Sequence, residues 1–453
     1  MQSCGAYLVL MPFLVVTACD SAPYPNDSVQ VETSESGPRI EWQEPLKLAT
    51  GPAHVGPWRM NESEFHYVDD PTIAISEHGS IAVAWVDNEN RDIKLVRLHI
   101  DDHEIPDPVN VSSSPDVFSW LPRIAFGNDE ETIHVLWQEI LFTGGSHGGE
   151  ILYSRSEDAG QTFTEPLNLS NTDDGAGKGR LTRERWHNGS LDLLHGRDGN
   201  IYAAWTAYEG PLHVSRSLDG GESFSQPLQI AGDRQVPARA PSLALDAEGR
   251  LLVAWTVGED ADADIHIARQ ADGDWSFGQP EVIHPGAGHA DAPKIGVDQS
   301  GRIHLVYSHA ANGPTGFPQV VYSRAEAGTL DFSPARRILP DDSILRGGSG
   351  FPHLAIHGSS IHIAWEHLPP AGDHARGMGF ASSSDYGETF TRARLIPDSN
   401  RQEYGVSGGR QGLLMSKLDA GPDGLIVTVH STFREGESSA IRLFRARSIS
   451  RSD

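Results

Sequence analysis

The segment from residue 178 to residue 188 concentrates side chains that could do chemistry. Its basic residues and its histidine are Lys178, Arg180, Arg183, Arg185 and His187. Arginine forms paired, charge-assisted hydrogen bonds with carboxylates and similar oxyanions. Histidine titrates near neutral pH, so it can take up or release a proton. The segment therefore predicts a surface that binds an anion and transfers a proton, unless these cations pair instead with acidic side chains of neighbouring loops.

β-Elimination at a uronic acid is one reaction that these residue types can perform. It needs a cation to neutralise the carboxylate, a base to remove the C5 proton and an acid to protonate the leaving oxygen. His187 is the candidate base, and Tyr67 or Tyr208 is the candidate acid. Arg185 or Arg239 is the candidate cation. The reaction needs no metal and no cofactor, and we expect neither.

Glycoside hydrolysis is the alternative reaction, and it needs two opposed carboxyl groups. The candidates for these groups are Asp69, Asp70, Glu139 and Glu366. Spacing along the chain does not fix how far apart they lie, so both reactions stay open. Further candidates for contact with a substrate are Trp120, His289 and Arg410.

The composition excludes several classes of protein. The chain has 453 residues and a formal net charge of −27, with 62 acidic residues against 35 basic ones. Such a surface repels nucleic acid and anionic lipid headgroups, so neither is an expected partner. The two cysteines are Cys4 and Cys19. The sequence after residue 19 therefore has neither a disulfide nor a cysteine nucleophile, and no thiolate metal site is expected there.

The first 38 residues predict export and anchoring. Residues 6–16 form an apolar run that is too short to span a bilayer and is typical of a signal-peptide core. The following Val16-Thr17-Ala18-Cys19 resembles the lipobox of bacterial lipoproteins, which implies that Cys19 is lipidated. Residues 1–18 are then a signal peptide and 19–38, rich in Ser, Pro, Asp and Glu, a disordered tether. We expect a bacterial cell-envelope protein held at the membrane by this lipid alone; an ordinary cleaved signal is the alternative.

A repeat fills the rest of the chain, 39–453, and predicts the elements that position the candidate residues. Seven copies of a two-strand phrase end at Trp85, Trp137, Trp205, Trp255, Tyr307, Trp365 and His430. Period-two alternation marks β-strands, and a third and a fourth strand follow most copies. The last copy lacks its fourth strand, and residues 43–49 resemble the missing one. We therefore predict an all-β, seven-bladed β-propeller whose ring is closed by the N-terminal strand lying beside residues 443–448.

Three turns carry a further motif, Ser-x-Asp-x-Gly-x-Thr/Ser-Phe, at residues 156–163, 217–224 and 383–390. It resembles the Asp box of the sialidase-like (BNR repeat) propellers, and the resemblance covers roughly residues 40–450. The resemblance implies that these aspartates are structural and lie on the face opposite the active site. The catalytic pattern of true sialidases does not transfer, because the entry to the first blade reads Val68-Asp69-Asp70-Pro71 without an arginine.

The resemblance also implies that ligands bind at the mouth of the ring, where strand 1 of each blade begins and strand 2 ends. The candidate residues named above fall at these positions. We expect an extracytoplasmic, carbohydrate-active propeller that acts on an acidic glycan as a sialidase-like glycosidase or a uronate lyase. The alternative is a non-catalytic propeller lipoprotein that binds a glycan or docks a protein.

Overall fold

A computed structural model gives the fold of residues 32–33, 37–141, 149–172, 175–182, 185–208, 210–259, 261, 263–283, 288–314, 316–339, 345, 347–370, 374–409 and 414–449, with the backbone alone at 32–33, 182 and 185–187. These residues form β-strands joined by turns and contain no α-helix. Five short strands precede the first blade: β1 (Glu32–Thr33), β2 (Arg39–Trp42), β3 (Leu46–Gly51), β4 (His54–Val55) and β5 (Phe65–His66).

Blades 1 to 3 are antiparallel four-stranded sheets, with strands in chain order. Blade 1 consists of β6 (Val68–Ile75), β7 (Ile81–Asp87), β8 (Asp92–Leu98) and β9 (Val109–Asn110). Blade 2 consists of β10 (Ser119–Phe126), β11 (Ile133–Glu139), β12 (Glu150–Ser156) and β13 (Leu167–Asn168). A two-stranded hairpin of β14 (Lys178–Thr182) and β15 (Arg185–Asn188) precedes blade 3. Blade 3 consists of β16 (Leu191–His195), β17 (Ile201–Thr206), β18 (Leu212–Ser217) and β19 (Leu228–Ala231).

Blades 4 to 6 repeat this plan. Blade 4 consists of β20 (Ala238–Leu245), β21 (Leu251–Val257), β22 (Asp264–Arg269) and β23 (Glu281–Val282). Blade 5 consists of β24 (His289–Val297), β25 (Ile303–Ala310), β26 (Gln319–Ala325) and β27 (Arg336–Arg337). Blade 6 consists of β28 (Gly348–His357), β29 (Ser360–Leu368), β30 (Met378–Ser383) and β32 (Arg394–Leu395), while β31 (Thr389–Phe390) pairs in parallel with β1.

Blade 7 is built from both ends of the chain. Its C-terminal strands are β33 (Val406–Ser407), β34 (Leu418–Ala420), β35 (Leu425–Arg434) and β36 (Ser438–Ile449). The outer edge of β36 pairs antiparallel with β3, where Leu46 faces Leu443, and with β2, where Trp42 faces Ala446. The backbone N–H of Gln43 between them donates to the carbonyl of Arg445 at 2.8 Å. The seven-bladed ring closed by an N-terminal strand is confirmed, and the closing strand begins earlier, at Arg39.

The hydrophobic core lies between neighbouring blades. The aromatic residue near the end of each second strand is at most 2 % exposed in blades 1 to 6: Trp85, Trp137, Trp205, Trp255, Tyr307 and Trp365. Apolar side chains of blades 5 and 6 form one buried cluster, and those of blades 1 to 3 form another. Blade-on-blade packing therefore carries the stability of the ring, with β6, β10, β16, β20, β24, β28 and β34 in contact around its centre.

The three Ser-x-Asp turns follow strand 3 of blades 2, 3 and 6. In the first, the Ser156 hydroxyl donates to the Asp158 carboxylate at 2.8 Å and accepts from the backbone N–H of Gly160 at 2.8 Å. The Asp158 carboxylate accepts from the backbone N–H and the hydroxyl of Thr162. These hydrogen bonds lower the pKa of Asp158 to about 2. The aspartates cap turns at the end of the blades opposite to where strand 1 begins.

Candidate functional site

The predicted site residues in the described part of the chain lie at one end of the blades. Strand 1 begins and strand 2 ends there because the two strands are antiparallel; we call this end the mouth face. Tyr67, Asp69, Trp120, Glu139, Arg239 and His289 all fall within or beside these strand ends. The hairpin β14–β15 lies on the same face, since it connects strand 4 of blade 2 to strand 1 of blade 3. Arg410 and Cys19 lie outside the described residues.

A left-handed residue recurs where strand 1 leaves the mouth face. It precedes a proline and interrupts the pairing of strand 1 with strand 2 in five blades, at Asp70, Leu121, Ala240, Ala292 and Phe351, with φ between 49° and 62°. Residues other than glycine rarely adopt this backbone conformation, and its recurrence in five blades indicates that the fold requires it at this position. The bulge places the second residue after it close to the axis of the ring.

A buried cluster of Arg239, Asp291 and His289 joins blades 4 and 5 at the mouth face. The Arg239 guanidinium is fully buried, and its Nε lies 3.2 Å from Asp291 Oδ1. The His289 Nε2 lies 3.4 Å from Asp291 Oδ2 and 3.5 Å from Arg239 Nη2. Arg239 Nη1 also donates to the carbonyls of Arg180 and Gly258. The sequence analysis assigned Arg239 and His289 to substrate contact; the structure brings them together beneath the surface.

The β14–β15 hairpin packs directly on this cluster. A Cβ on Gly179 would lie 2.4 Å from the Cβ of Arg239, so the hairpin backbone can approach only because residue 179 is glycine. Arg180 forms an ion pair with Glu259 and donates to the carbonyl of Arg234 at 2.6 Å. The register places His187 opposite Gly179. The backbone of the predicted base thus lies over the Arg239 cluster.

Asp69, a predicted catalytic residue, links blade 1 to blade 7. It is 1 % exposed, and its two oxygens accept from the backbone N–H of Gly409 at 2.9 Å. Tyr67, the other candidate from this edge, is 2 % exposed and packs against Phe65 and Phe433. Both side chains are therefore committed to contacts between blades in the described part of the chain.

Glu139 lies at the mouth end of blade 2 and is 4 % exposed. Its Oε1 accepts from Ser114 at 2.7 Å, from the Trp137 indole at 3.2 Å and from Ser119 at 3.4 Å. Burial raises the pKa of Glu139, and these hydrogen bonds only partly oppose the shift. A carboxyl group with a raised pKa can stay protonated and serve as an acid.

Lys417 and His430, which the sequence did not indicate as site residues, lie beside the predicted candidate Glu366. Lys417 and Glu366 form an ion pair of 2.7 Å between blades 7 and 6, and both side chains are fully buried. The positive charge and the hydrogen bond of Lys417 outweigh the effect of burial and lower the pKa of Glu366. Burial lowers the pKa of the neighbouring His430 to about 4, so it is neutral at physiological pH. Its Nε2 lies 2.9 Å from the Ser407 hydroxyl and 3.8 Å from Glu366 Oε2.

Arg123 and Lys294 also reach toward the axis. Arg123 donates to the carbonyls of Gly189, just before blade 3, and of Leu414, between β33 and β34, at 2.8 and 2.7 Å, so one side chain of blade 2 ties together segments of blades 3 and 7. Burial lowers the pKa of Lys294 to about 8, against the attraction of Asp192. Arg123 and Lys294 are each the second residue after a left-handed position, a signal that the sequence offers only once the bulge is known.

Trp120, predicted to contact substrate, is 5 % exposed because Trp58 covers it. The two rings lie 5.6 Å apart, and the Trp120 indole donates to Asn88 Oδ1 at 2.9 Å. Trp58 itself is 50 % exposed. The aromatic side chain that faces solvent at this edge is therefore one that the sequence analysis did not name.

No three histidine, cysteine, aspartate or glutamate side chains among the described residues are arranged to hold a metal ion. No helix in that part of the chain is long and apolar enough to cross a membrane.

Neither a protein-family model nor a curated protein matches the sequence. Several solved structures share its fold. An ulvan lyase of polysaccharide lyase family PL25, solved with -[GlcA(1-4)Rha3S]- bound, is 12 % identical over 88 % of this chain and 95 % of its own, with a TM-score of 0.53. The polysaccharide lyase Uly1 is 11 % identical over 83 % and 89 %, with a TM-score of 0.52. A protein of unknown function from Dyadobacter fermentans is 17 % identical over 75 % and 99 %, with a TM-score of 0.51. At these identities the likeness is one of fold.

Proposed function

We propose that this propeller acts on an acidic glycan outside the cytoplasm and cleaves it by β-elimination at a uronic acid. One observation carries the proposal: the hairpin that bears Arg185 and His187 is held by its backbone over the buried Arg239–Asp291–His289 cluster at the mouth face. The cluster fixes the backbone of the hairpin, and Arg185 and His187 on that backbone are the proposed cation and base.

Each of these side chains has one role in the reaction. Arg185 would bind the uronate carboxylate and stabilise the charge that develops on it when the C5 proton leaves. His187 would take that proton. The electron pair then forms the C4=C5 double bond as the C4–O bond breaks, and the leaving oxygen takes up a proton. Arg239 acts as a positioning residue, since its guanidinium is buried and held by Asp291 and two carbonyls.

Tyr208 is a better candidate than Tyr67 for the acid. Tyr67 is 2 % exposed and lies at the edge of blades 1 and 7, where it packs against aromatic rings. Tyr208 is partly exposed and follows strand 2 of blade 3. Its backbone N–H donates at 2.9 Å to the carbonyl of Gly175, in the segment that leads into the β14–β15 hairpin. It therefore lies beside the element that carries the base.

Two further observations support a lyase. The carboxylates of Asp69 and Glu366 are at most 1 % exposed, so neither is accessible for attack on a sugar as the carboxylate nucleophile of a retaining glycosidase. Two of the solved structures that share the fold are polysaccharide lyases, one of them with a glucuronate-containing saccharide bound. A hydrolase of sialidase-like ancestry is the second candidate, because the raised pKa of Glu139 suits a general acid.

The test is a screen of the purified protein against acidic polysaccharides and sialosides. We expect uronate polymers to yield products with the ultraviolet absorbance of an unsaturated uronate. His187→Ala should lower kcat by about a hundredfold or more, Arg185→Ala should lower kcat/KM, and Tyr208→Phe should lower kcat. Matched controls are His78→Ala and Arg197→Ala, since both residues are exposed in turns on the opposite face.

Other results of this screen would overturn the lyase. Release of sialic acid, or of saturated products that depends on Glu139, would select the hydrolase. Binding without any product would select a non-catalytic glycan-binding propeller. Neither binding nor product on any acidic glycan would refute the acidic-glycan proposal as a whole.

We further propose that Cys19 is lipidated and holds the protein at the membrane of a bacterial cell envelope. The proposal rests on the apolar run and the Val16–Cys19 ending. Cys19→Ala should move the protein from the membrane fraction to the soluble fraction of the envelope. Membrane association that survives this substitution would contradict the proposal.

A further inference from the structure

A short insertion between β3 and β6 exposes an aromatic ring, that of Trp58, on the mouth face. It contains the β4–β5 hairpin, and its tip exposes Val55, Trp58 and Met60 to 41 %, 50 % and 43 %. Exposed apolar groups bordered by polar residues often mark a binding surface. The surrounding residues are polar and include Glu62, Glu64, Glu89 and His66.

The Trp58 ring rests on a support of buried aromatic rings. It stacks on Phe65, with centroids 6.0 Å apart and an interplanar angle of 26°, and it contacts Trp120 at 5.6 Å. Phe118 lies below, 5.3 Å from Trp120 and 5.8 Å from Phe65. These contacts fix the orientation of the indole, so a ligand that stacks on it loses little conformational entropy in the protein.

The insertion is tied to blade 2 by the Asn61 side chain. Its amide nitrogen donates to the carbonyl of Ile140 at 2.9 Å, and its amide oxygen accepts from the backbone N–H of Phe118 at 3.1 Å. Both partners lie at the mouth end of blade 2. The exposed face of Trp58 is therefore a fixed part of the mouth face, at blades 1 and 2, whereas the Arg239 cluster lies at blades 4 and 5.

We infer that Trp58 is a stacking platform for a neutral sugar residue of a polymeric glycan whose acidic residue is bound at the β14–β15 hairpin. The inference rests on the proposed function. It extends the binding site from the single uronate at the hairpin to a second sugar residue of the same chain, elsewhere on the mouth face. The negative face of an indole ring attracts the C–H groups of a pyranose. Among the exposed Asp, Glu, Lys and Arg residues of this insertion, Glu62 and Glu64 are acidic and Arg59 is basic, so the insertion carries a net negative charge that disfavours a uronate and favours the neutral residue.

The size of the surface argues against a protein partner. A stable protein interface buries on the order of 800 Å² on each partner and involves some twenty residues or more. The apolar part of this tip consists of the three side chains at 55, 58 and 60. Three side chains are enough for contact with one sugar ring and too few for a protein interface.

The experiment measures binding by electrophoresis of the native protein through gels that contain a soluble polysaccharide, acidic or neutral. Trp58→Ala should weaken the affinity for the polymer about tenfold, the upper end for a single aromatic contact. Trp58→Phe should retain most of it. Leu218→Ala is the matched control, since Leu218 is 62 % exposed on the opposite face. Circular dichroism checks that each variant is folded. If the protein is an enzyme, Trp58→Ala should raise KM on the polymer with kcat unchanged.

The outcomes separate the two proposals. If the wild-type protein binds an acidic polymer and Trp58→Ala binds it equally well, the platform is refuted and the proposed function stands. If it binds only neutral polymers and loses them on Trp58→Ala, the platform stands and the acidic-glycan proposal fails. If it binds no polysaccharide at all, both proposals fail.

Discussion

Replacing Lys417 by methionine tests how the centre of the ring is held together. The substitution leaves the Glu366 carboxylate, fully buried and 2.7 Å from the Lys417 ammonium, without its counter-charge. Removing one partner of a buried ion pair costs about 3–5 kcal/mol of unfolding free energy, because the remaining charge has lost its hydration. We expect Lys417→Met to lie in this range. The double variant Glu366→Gln, Lys417→Met should regain about half or more of the loss, since the amide carries no charge to bury.

The assay is urea unfolding followed by circular dichroism, arranged as a double-mutant cycle. The pair Arg302–Glu326, 3.0 Å apart with side-chain exposures of 28 % and 67 %, is the control, and its coupling should not exceed about 1 kcal/mol. The pKa of Glu366 is lowered in the folded protein. Its contribution is therefore present above the ordinary glutamate pKa of about 4.3 and is lost as the pH falls below that value. Additive effects of the two central substitutions, or a Lys417→Met loss no larger than that of Arg302→Met, would refute the reasoning.

Three further substitutions probe other parts of the fold. Ser156→Ala leaves the backbone N–H of Gly160 without its acceptor, so it should cost about 1–2 kcal/mol in thermal or urea unfolding; glycan binding should not change, and a loss of binding would contradict the structural role of these turns. Glu139→Gln should remove a pH dependence of the free energy of unfolding. Burial raises the pKa of Glu139, so the favourable contribution of its carboxyl group is present below about pH 4.3 and is lost as the pH rises through the folded-state pKa. Identical curves of stability against pH for the two proteins would contradict this expectation. Leu48→Asp places a charge on the strand that closes the ring, where Leu48 is 8 % exposed; we expect a loss of about 3 kcal/mol or more and concentration-dependent aggregation in light scattering, and a variant as stable as the wild type would disprove the closure.

The fold could be predicted because its signal is repeated. One alternating phrase occurs seven times, six times with a Trp or Tyr near the end of its second strand, so the same blade is indicated several times over. The ring closure followed from counting, since the last copy lacked a strand that residues 43–49 could supply. The start of that strand at Arg39 could not be read, because β2 has no counterpart in the other copies.

The position of the candidate residues on the mouth face could be predicted from the repeat, but their burial could not, and the reason is local geometry. Alternation places Asp69, Glu139 and Arg239 at the mouth, but burial depends on which neighbour covers each side chain. Trp120 is covered by Trp58, which lies in an insertion without any repeat to reveal its position. The Lys417–Glu366 ion pair joins two blades, and no pattern in the sequence of either blade indicates that these two residues pair. Contacts of this kind join residues that are far apart in the chain, so the alternation within one strand does not reveal them. The bulge before the proline hides others, because it shifts every later side chain of strand 1, such as Arg123 and Lys294, by one position.

The direction in which the closing strand enters the ring sets an orientation for the whole molecule. Arg39 pairs with Ile449 at the end of β36, and Glu32–Thr33 pair with Thr389–Phe390, the last two residues of a Ser-x-Asp motif. The chain therefore enters on the face of these turns and reaches the mouth face at Gly51. With a lipid at Cys19, as proposed, the bilayer would lie beneath those turns. The mouth face would then point away from the membrane, toward polysaccharides that approach from outside.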